Sequence, residues 1–182
     1  MHAARAASLI AVVVAACGGT SFDPTDGPCT DYCRLVMRNC IGADSQYSAI
    51  DLCEATCATM EVGDPTQTSG NTIECRTFWA AIAEGDKTAC VKAGPGGDGQ
   101  CGDNCDSFCN ATLDICADQP VPPYPSKDAC LAACTGFAAE PPYNANEVMG
   151  DTLACRIYHM TAASTDPDLH CQHTGVVSDT CF

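Results

Sequence analysis

The stretch CTDYCRLVMRNC, residues 29–40, carries cysteines at offsets of 0, 4 and 11. Cys29, Cys33, Val36 and Cys40 therefore line one face of a helix. Thirteen residues further on, Cys53 and Cys57 repeat the four-residue step on a second apolar face that includes Ile50 and Met60. From Cys29 to Cys101 the spacing reads C-x3-C-x6-C-x12-C-x3-C-x17-C-x14-C-x10-C, and from Cys105 to Cys181 it reads C-x3-C-x6-C-x13-C-x3-C-x20-C-x15-C-x9-C. Gly150-Asp151-Thr152-Leu153-Ala154-Cys155-Arg156 also matches Gly70-Asn71-Thr72-Ile73-Glu74-Cys75-Arg76, an agreement the cysteines do not force. The chain is read as an internal duplication, with repeat one at residues 29–101 and repeat two at 105–181.

Each repeat predicts three helices. In the first, Pro28 suits a first helical turn, and Ser48 with Asp51 resembles a capping box opening helix two. Asn71 with Glu74 makes a second such box, opening a helix to about Glu84 with Cys75, Phe78, Trp79 and Ile82 on one side, Phe78 and Trp79 being expected in the core. Cys90 and Cys101 fall in a Gly-rich tail. Repeat two copies the plan, with Ser126 capping its second helix, and strands have little support. The expected fold is all-α: two tandem disulfide-stapled three-helix units with eight cysteines each.

Two C-x3-C helices packed antiparallel pair inner thiol with inner and outer with outer. Cys33–Cys53 and Cys29–Cys57 share one hairpin centre, as do Cys109–Cys130 and Cys105–Cys134. This twin C-x3-C hairpin resembles that of the small chaperones of mitochondrial protein import. The resemblance covers two helices per unit and implies geometry alone, since the other four cysteines of each unit depart from it. For those, Cys40–Cys90, Cys75–Cys101, Cys116–Cys171 and Cys155–Cys181 are the expected bridges, one choice among 105 connectivities per unit. A functional alternative stays open. C-x3-C on helices also resembles the bacterial copper-storage bundles, whose reduced thiolates hold Cu(I).

The N-terminus gives the address. Met1–Arg5 is a short basic segment and Ala6–Ala16 an apolar run of eleven residues, too short to span a bilayer. Residues 1–16 are expected to be a signal peptide. Val14-Ala15-Ala16-Cys17 resembles the lipobox of bacterial lipoproteins, with Val14 where that family usually has Leu. The resemblance implies that Cys17, the odd one among 17 cysteines, is lipidated, with residues 17–28 a flexible tether to the membrane. The implied location is the cell envelope, the outer membrane of a Gram-negative bacterium. Export suits a cysteine-rich chain, because disulfides persist in oxidising compartments.

A formal net charge of −15 argues against nucleic acid and anionic lipid surfaces as partners. No serine stands in a nucleophile-elbow context and no carboxylate pair suggests acid–base work, so no enzyme and no catalytic residue is expected. Gly94–Gly99 formally fits G-x-G-x-x-G but follows no strand. Arg76 and Arg156 are expected to pair internally with neighbouring acids. The sharpest asymmetry is histidine. His159, His170 and His173 all fall in repeat two after Cys155, where repeat one has Trp79, Ala89 and Lys92. Three imidazoles so placed can converge on Zn(II) or Cu(II). The leading expectation is a non-enzymatic, cysteine-rich surface lipoprotein without a cofactor. It would act as a binding or structural module toward an envelope or extracellular protein, a polymer or a small ligand. The alternative is metal handling through the three histidines or through C-x3-C thiolates.

Overall fold

A computed structural model describes residues 27–182; the signal segment, Cys17 and the tether up to residue 26 lie outside them. The spacing of cysteine and aromatic residues builds helix α1, Pro28–Asn39, with Pro28 in its first turn and Tyr32, Cys33, Val36 and Asn39 buried. Helix α2 spans Ile50–Cys57, α3 Ile73–Ile82 and the short α4 Cys90–Ala93, the last preceded by a 3-10 turn at Lys87–Ala89. The second unit repeats this order as α5 (Asn104–Ile115), α6 (Lys127–Cys134), α7 (Leu153–Ala163) and α8 (Pro167–His170). Among the described residues there are eight α-helices and no strands, so the protein is all-α, in two tandem units. The segments holding Cys90 and His170 are thus a short fourth helix rather than plain tail.

Eight disulfides fasten these helices. In unit one they join Cys29–Cys57, Cys33–Cys53, Cys40–Cys90 and Cys75–Cys101. In unit two they join Cys105–Cys134, Cys109–Cys130, Cys116–Cys171 and Cys155–Cys181. The nested pairs follow from two i, i+4 faces meeting antiparallel. The other two bridges of each unit tie the C-terminal segment to its first and third helices. Each bridge stabilises the fold by about 2–4 kcal/mol, mainly through the unfolded chain.

Helix caps differ in part from expectation. Thr72, not Asn71, caps α3 by accepting the Cys75 N–H at 3.3 Å, and Thr152 does the same for α7 at 3.1 Å. Asn71 is drawn away by the Arg76 guanidinium, which donates to its Oδ1 at 2.8 Å. Helix α2 begins after Ala49 with no side-chain cap, so Ser48 is not the N-cap. In unit two Ser126, which matches Ala49, does cap α6, accepting from the Ala129 N–H at 3.2 Å.

One buried aromatic pair centres each core, Tyr32 on Tyr47 and Phe108 on Tyr124, both edge to face. Tyr32 Oη donates to Ala93 O and Tyr124 Oη to Thr174 O, both at 2.7 Å, so the hydroxyls lock the C-terminal segments at matching places. Phe78 departs from the core role expected of it: it is 40% exposed, because Ile73, Cys75, Arg76 and Ala80 supply the inward face of α3. Arg76 departs too. Its guanidinium is buried and donates to Gly94 O, Thr72 O, Pro95 O, Asn71 Oδ1 and Ser107 Oγ, with no carboxylate among these acceptors. Arg156 keeps its acid, Asp151, at 2.9 Å and stacks on Phe137.

The units are docked on each other. Tyr143 Oη donates to Gln46 O at 3.0 Å, the Ala145 N–H to Ser45 O at 2.6 Å, and Asn146 Nδ2 to Gly42 O at 3.1 Å. Ser164, just beyond α7, lies 3.3 Å from Thr56 of α2. Helix α7 is consequently covered on several sides, and His159 on it is only 5% exposed.

Candidate metal centre

His159 lies one turn after Cys155 on α7, on the same buried face as Arg156, Met160 and Ala163. His170 is the last residue of α8, and His173 sits in the 3-10 turn Cys171–Thr174. Asp166 opens α8 by accepting the Leu169 N–H, and the Cys116–Cys171 bridge fixes the residue between the two histidines. The segment is thereby folded back onto α7. One ring nitrogen from each of His159, His170 and His173 lies within 4.8 Å of the other two. The ring centroids of His159 are 5.2 Å from His170 and 4.7 Å from His173.

Hydrogen bonding settles the protonation pattern. His159 Nε2 lies 3.2 Å from Val148 O, which only accepts, so Nε2 carries the proton and Nδ1 carries a lone pair. His159 Nδ1 is 3.0 Å from His170 Nδ1, which therefore donates to it. A ring N–H held by a backbone carbonyl while the other nitrogen faces the site is the usual second contact of a metal-binding histidine. Burial, reinforced by the neighbouring His173 and His170, lowers the His159 pKa to about 4, so the ring is neutral at neutral pH. Burial lowers His170 as well.

His173 is the anomaly. Asp179 Oδ1 approaches its Nδ1 to 2.9 Å, close enough for an ion pair. Yet the ring nitrogen is buried without a hydrogen-bond partner, because the carboxylate does not lie along the direction in which an N–H would point. The distance is real proximity; the alignment says it is not a hydrogen bond.

Unit one shows what this place looks like without histidine. Lys92 Nζ lies over the Trp79 ring, 4.1 Å from its centroid, at the positions matching His173 and His159. The fold needs only a packed pair there, so the three imidazoles are an addition in unit two. Cys155 and Cys181 also lie within ligand distance of His159 but are bonded to each other, and all 16 repeat cysteines are in disulfides. The C-x3-C pairs therefore present no thiolate set in this oxidised form. A cavity of about 380 Å³ between the units is lined by Arg76, Asp106 and Lys127, but these charges are already committed: Lys127 pairs with Asp106 at 2.7 Å. Asp179 carried no signal by spacing to the histidines. It did carry one through Cys181, two residues on, whose partner Cys155 is one turn from His159.

No helix among the described residues is long and apolar enough to cross a membrane. Residues 25–105 and 103–181 each match the BfoA family C-terminal domain. No curated protein matches the chain, and no solved structure does.

Proposed function

The chain belongs to the family of the BfoA C-terminal domain, which it carries twice, and from that premise we propose a non-enzymatic binding module whose ligand is a divalent transition metal, Zn(II) or Cu(II), held by His159, His170 and His173. The observation that carries the reading is the convergence of one nitrogen from each ring to within 4.8 Å. Three imidazoles at this separation match the donor preference of both ions. His159 is neutral by burial, so no proton needs displacing from its Nδ1 when metal arrives.

Sixteen cysteines in eight disulfides belong to an oxidising, extracytoplasmic compartment. The surface role is part of the proposal. A lipid on Cys17 and the tether after it would hold the two units at the outer membrane, where metal capture needs no enzyme chemistry. Intact mass of the exported protein checks this: diacyl- or triacylglyceryl mass on Cys17 is expected, and a plain cut before Cys17 would remove the anchor from the account.

Calorimetric titration of the oxidised protein with Zn(II) and Cu(II) tests the metal reading. One equivalent should bind. A variant carrying the residues of unit one, H159W/H170A/H173K, should keep the helical circular dichroism of the wild type and lose that binding. Absence of stoichiometric binding to the wild type at micromolar metal sinks the proposal.

A further inference from the structure

Each unit has a groove between its first and third helices, and the two grooves differ in what covers them. In unit two Asn104, Pro142, Ala154 and Ile157 line it. Counted from the nearest cysteines, their counterparts in unit one are Pro28, Pro65, Glu74 and Thr77, and all four line the groove between α1 and α3. Unit one closes the groove of unit two with its tail loop. The Asp98 N–H donates to Asn104 Oδ1 at 2.9 Å, and Gly96 packs so tightly that an added Cβ would stand 3.4 Å from Ile157 Cδ1. The space left there is about 170 Å³, and Ala154 and Ile157 are buried. The groove of unit one measures about 400 Å³ and is uncovered among the described residues. Phe78 lies exposed in it, with the equally exposed Ile82 one turn on. Glu74, which also lines it, has its Oε2 buried without a hydrogen-bond partner.

We propose that a second copy of the chain fills this groove with the tail loop of its unit two, repeating between molecules the docking that unit one makes on unit two within each molecule. The matching loop is residues 175–179. Gly175 O accepts from Arg156 Nε as Gly94 O accepts from Arg76 Nε, and in that register Pro95 and Gly96 become Val176 and Val177. Both valines are exposed, Val177 to 91%, and Val121 is exposed as well. A Cβ on Gly175 would touch Pro123 at 3.8 Å, so the 120–125 loop adjoins them. The size change is matched in the groove. Val177 is larger than Gly96, and Thr77, standing where unit two has Ile157, lacks the Cδ1 that crowds that place. Apolar surface left open on both partners drives such a contact, and patches of this kind mark interaction sites. Because groove and tail are different surfaces, the contact is heterologous, and copies add head to tail instead of stopping at a two-fold dimer. Asp31 and Glu74 in the groove and Asp179 in the loop carry like charges, so salt should strengthen the association.

Sedimentation velocity of residues 18–182, oxidised and free of the lipid expected on Cys17, is the test. The weight-average mass should rise with concentration past that of a dimer, over the range of about 10 μM to about 1 mM that suits a small interface. It should rise further at high salt. F78S/I82S strips the apolar groups from the groove, and V177D places a charge on the tail. Both alter exposed side chains, and each variant should sediment as a monomer with wild-type circular dichroism. Mixed, the two variants hold one intact groove and one intact tail between them, and should form one-to-one dimers and nothing larger. Wild-type chain that stays monomeric throughout overturns the proposal. So does association that stops at a dimer and survives V177D, which would be groove against groove. Association that appears only once residues 18–26 are removed assigns the groove to the tether and overturns it too.

Discussion

His159 couples the site to stability. Its folded pKa of about 4 lies below the ordinary value of 6.5, because burial disfavours the charged ring and His173 and His170 add to that. The unfolded chain therefore takes up the proton first. The associated stability is fully present above about pH 6.5 and is lost as the pH falls toward 4. Asp179 and Val148 O, which favour the charged form, moderate the loss. Denaturant midpoints of metal-free protein at pH 7 and pH 4.5 should show the wild type falling more than H159Q; equal slopes would remove His159 as the source. Arg76 offers a second prediction at this scale. It is buried against five acceptors that a lysine ammonium cannot span. R76K should cost about 2–4 kcal/mol in equilibrium unfolding, since buried carbonyls are left unpaired.

Among the elements, α2 and α6 are the same helix with one difference at the entry. Ser126 caps α6, whereas Ala49 at the matching place leaves the first N–H groups of α2 without a side-chain acceptor. The backbone at Ala49 is already extended, with φ −153° and ψ 159°, as a capping serine requires. A49S should raise stability by about 0.5–1 kcal/mol, read as a shift in the denaturant midpoint with unchanged slope. Removing the cap from α7 with T152A should lower stability by about 1 kcal/mol. The loss should also loosen the turn that positions Cys155 and, one turn on, His159.

For the molecule as a whole, the bridges do two jobs. Cys116–Cys171 closes the longest loop of the eight, with a sequence separation of 55, and it also sits between two of the imidazoles. C116A/C171A should destabilise the protein by about 3–4 kcal/mol and weaken zinc binding in the same preparation. C40A/C90A, the matching bridge of unit one with a separation of 50, should cost similar stability and leave zinc binding unchanged. Equal metal affinity in both variants would detach the site from its bridge. Docking of unit two on unit one adds a further layer, since the Tyr143 and Ala145 contacts to residues 45 and 46 hold the loop that carries Val148.

The helical class, the duplication and the nested bridges Cys29–Cys57, Cys33–Cys53, Cys105–Cys134 and Cys109–Cys130 were legible in the spacing, whereas the other four bridges were one choice among many. An i, i+4 step on a helix has one face, and two such faces meet antiparallel in a single register. The place of the histidines was legible for the same reason: residues flanking a bridged cysteine go where the bridge goes. Local chemistry did not decide which of two neighbouring cap-formers is used. Asn71 and Thr72 both suit the end of α3, and the buried Arg76 guanidinium claimed Asn71 and left the cap to Thr72. Nor did periodicity decide that Arg76 faces inward while Phe78 is 40% exposed, because that depends on which side of α3 the other helices and unit two cover. Asp179 shows the same division. Its position along the chain follows from Cys181, but its carboxylate meets His173 only because two disulfides fold three separate segments onto one buried turn of α7.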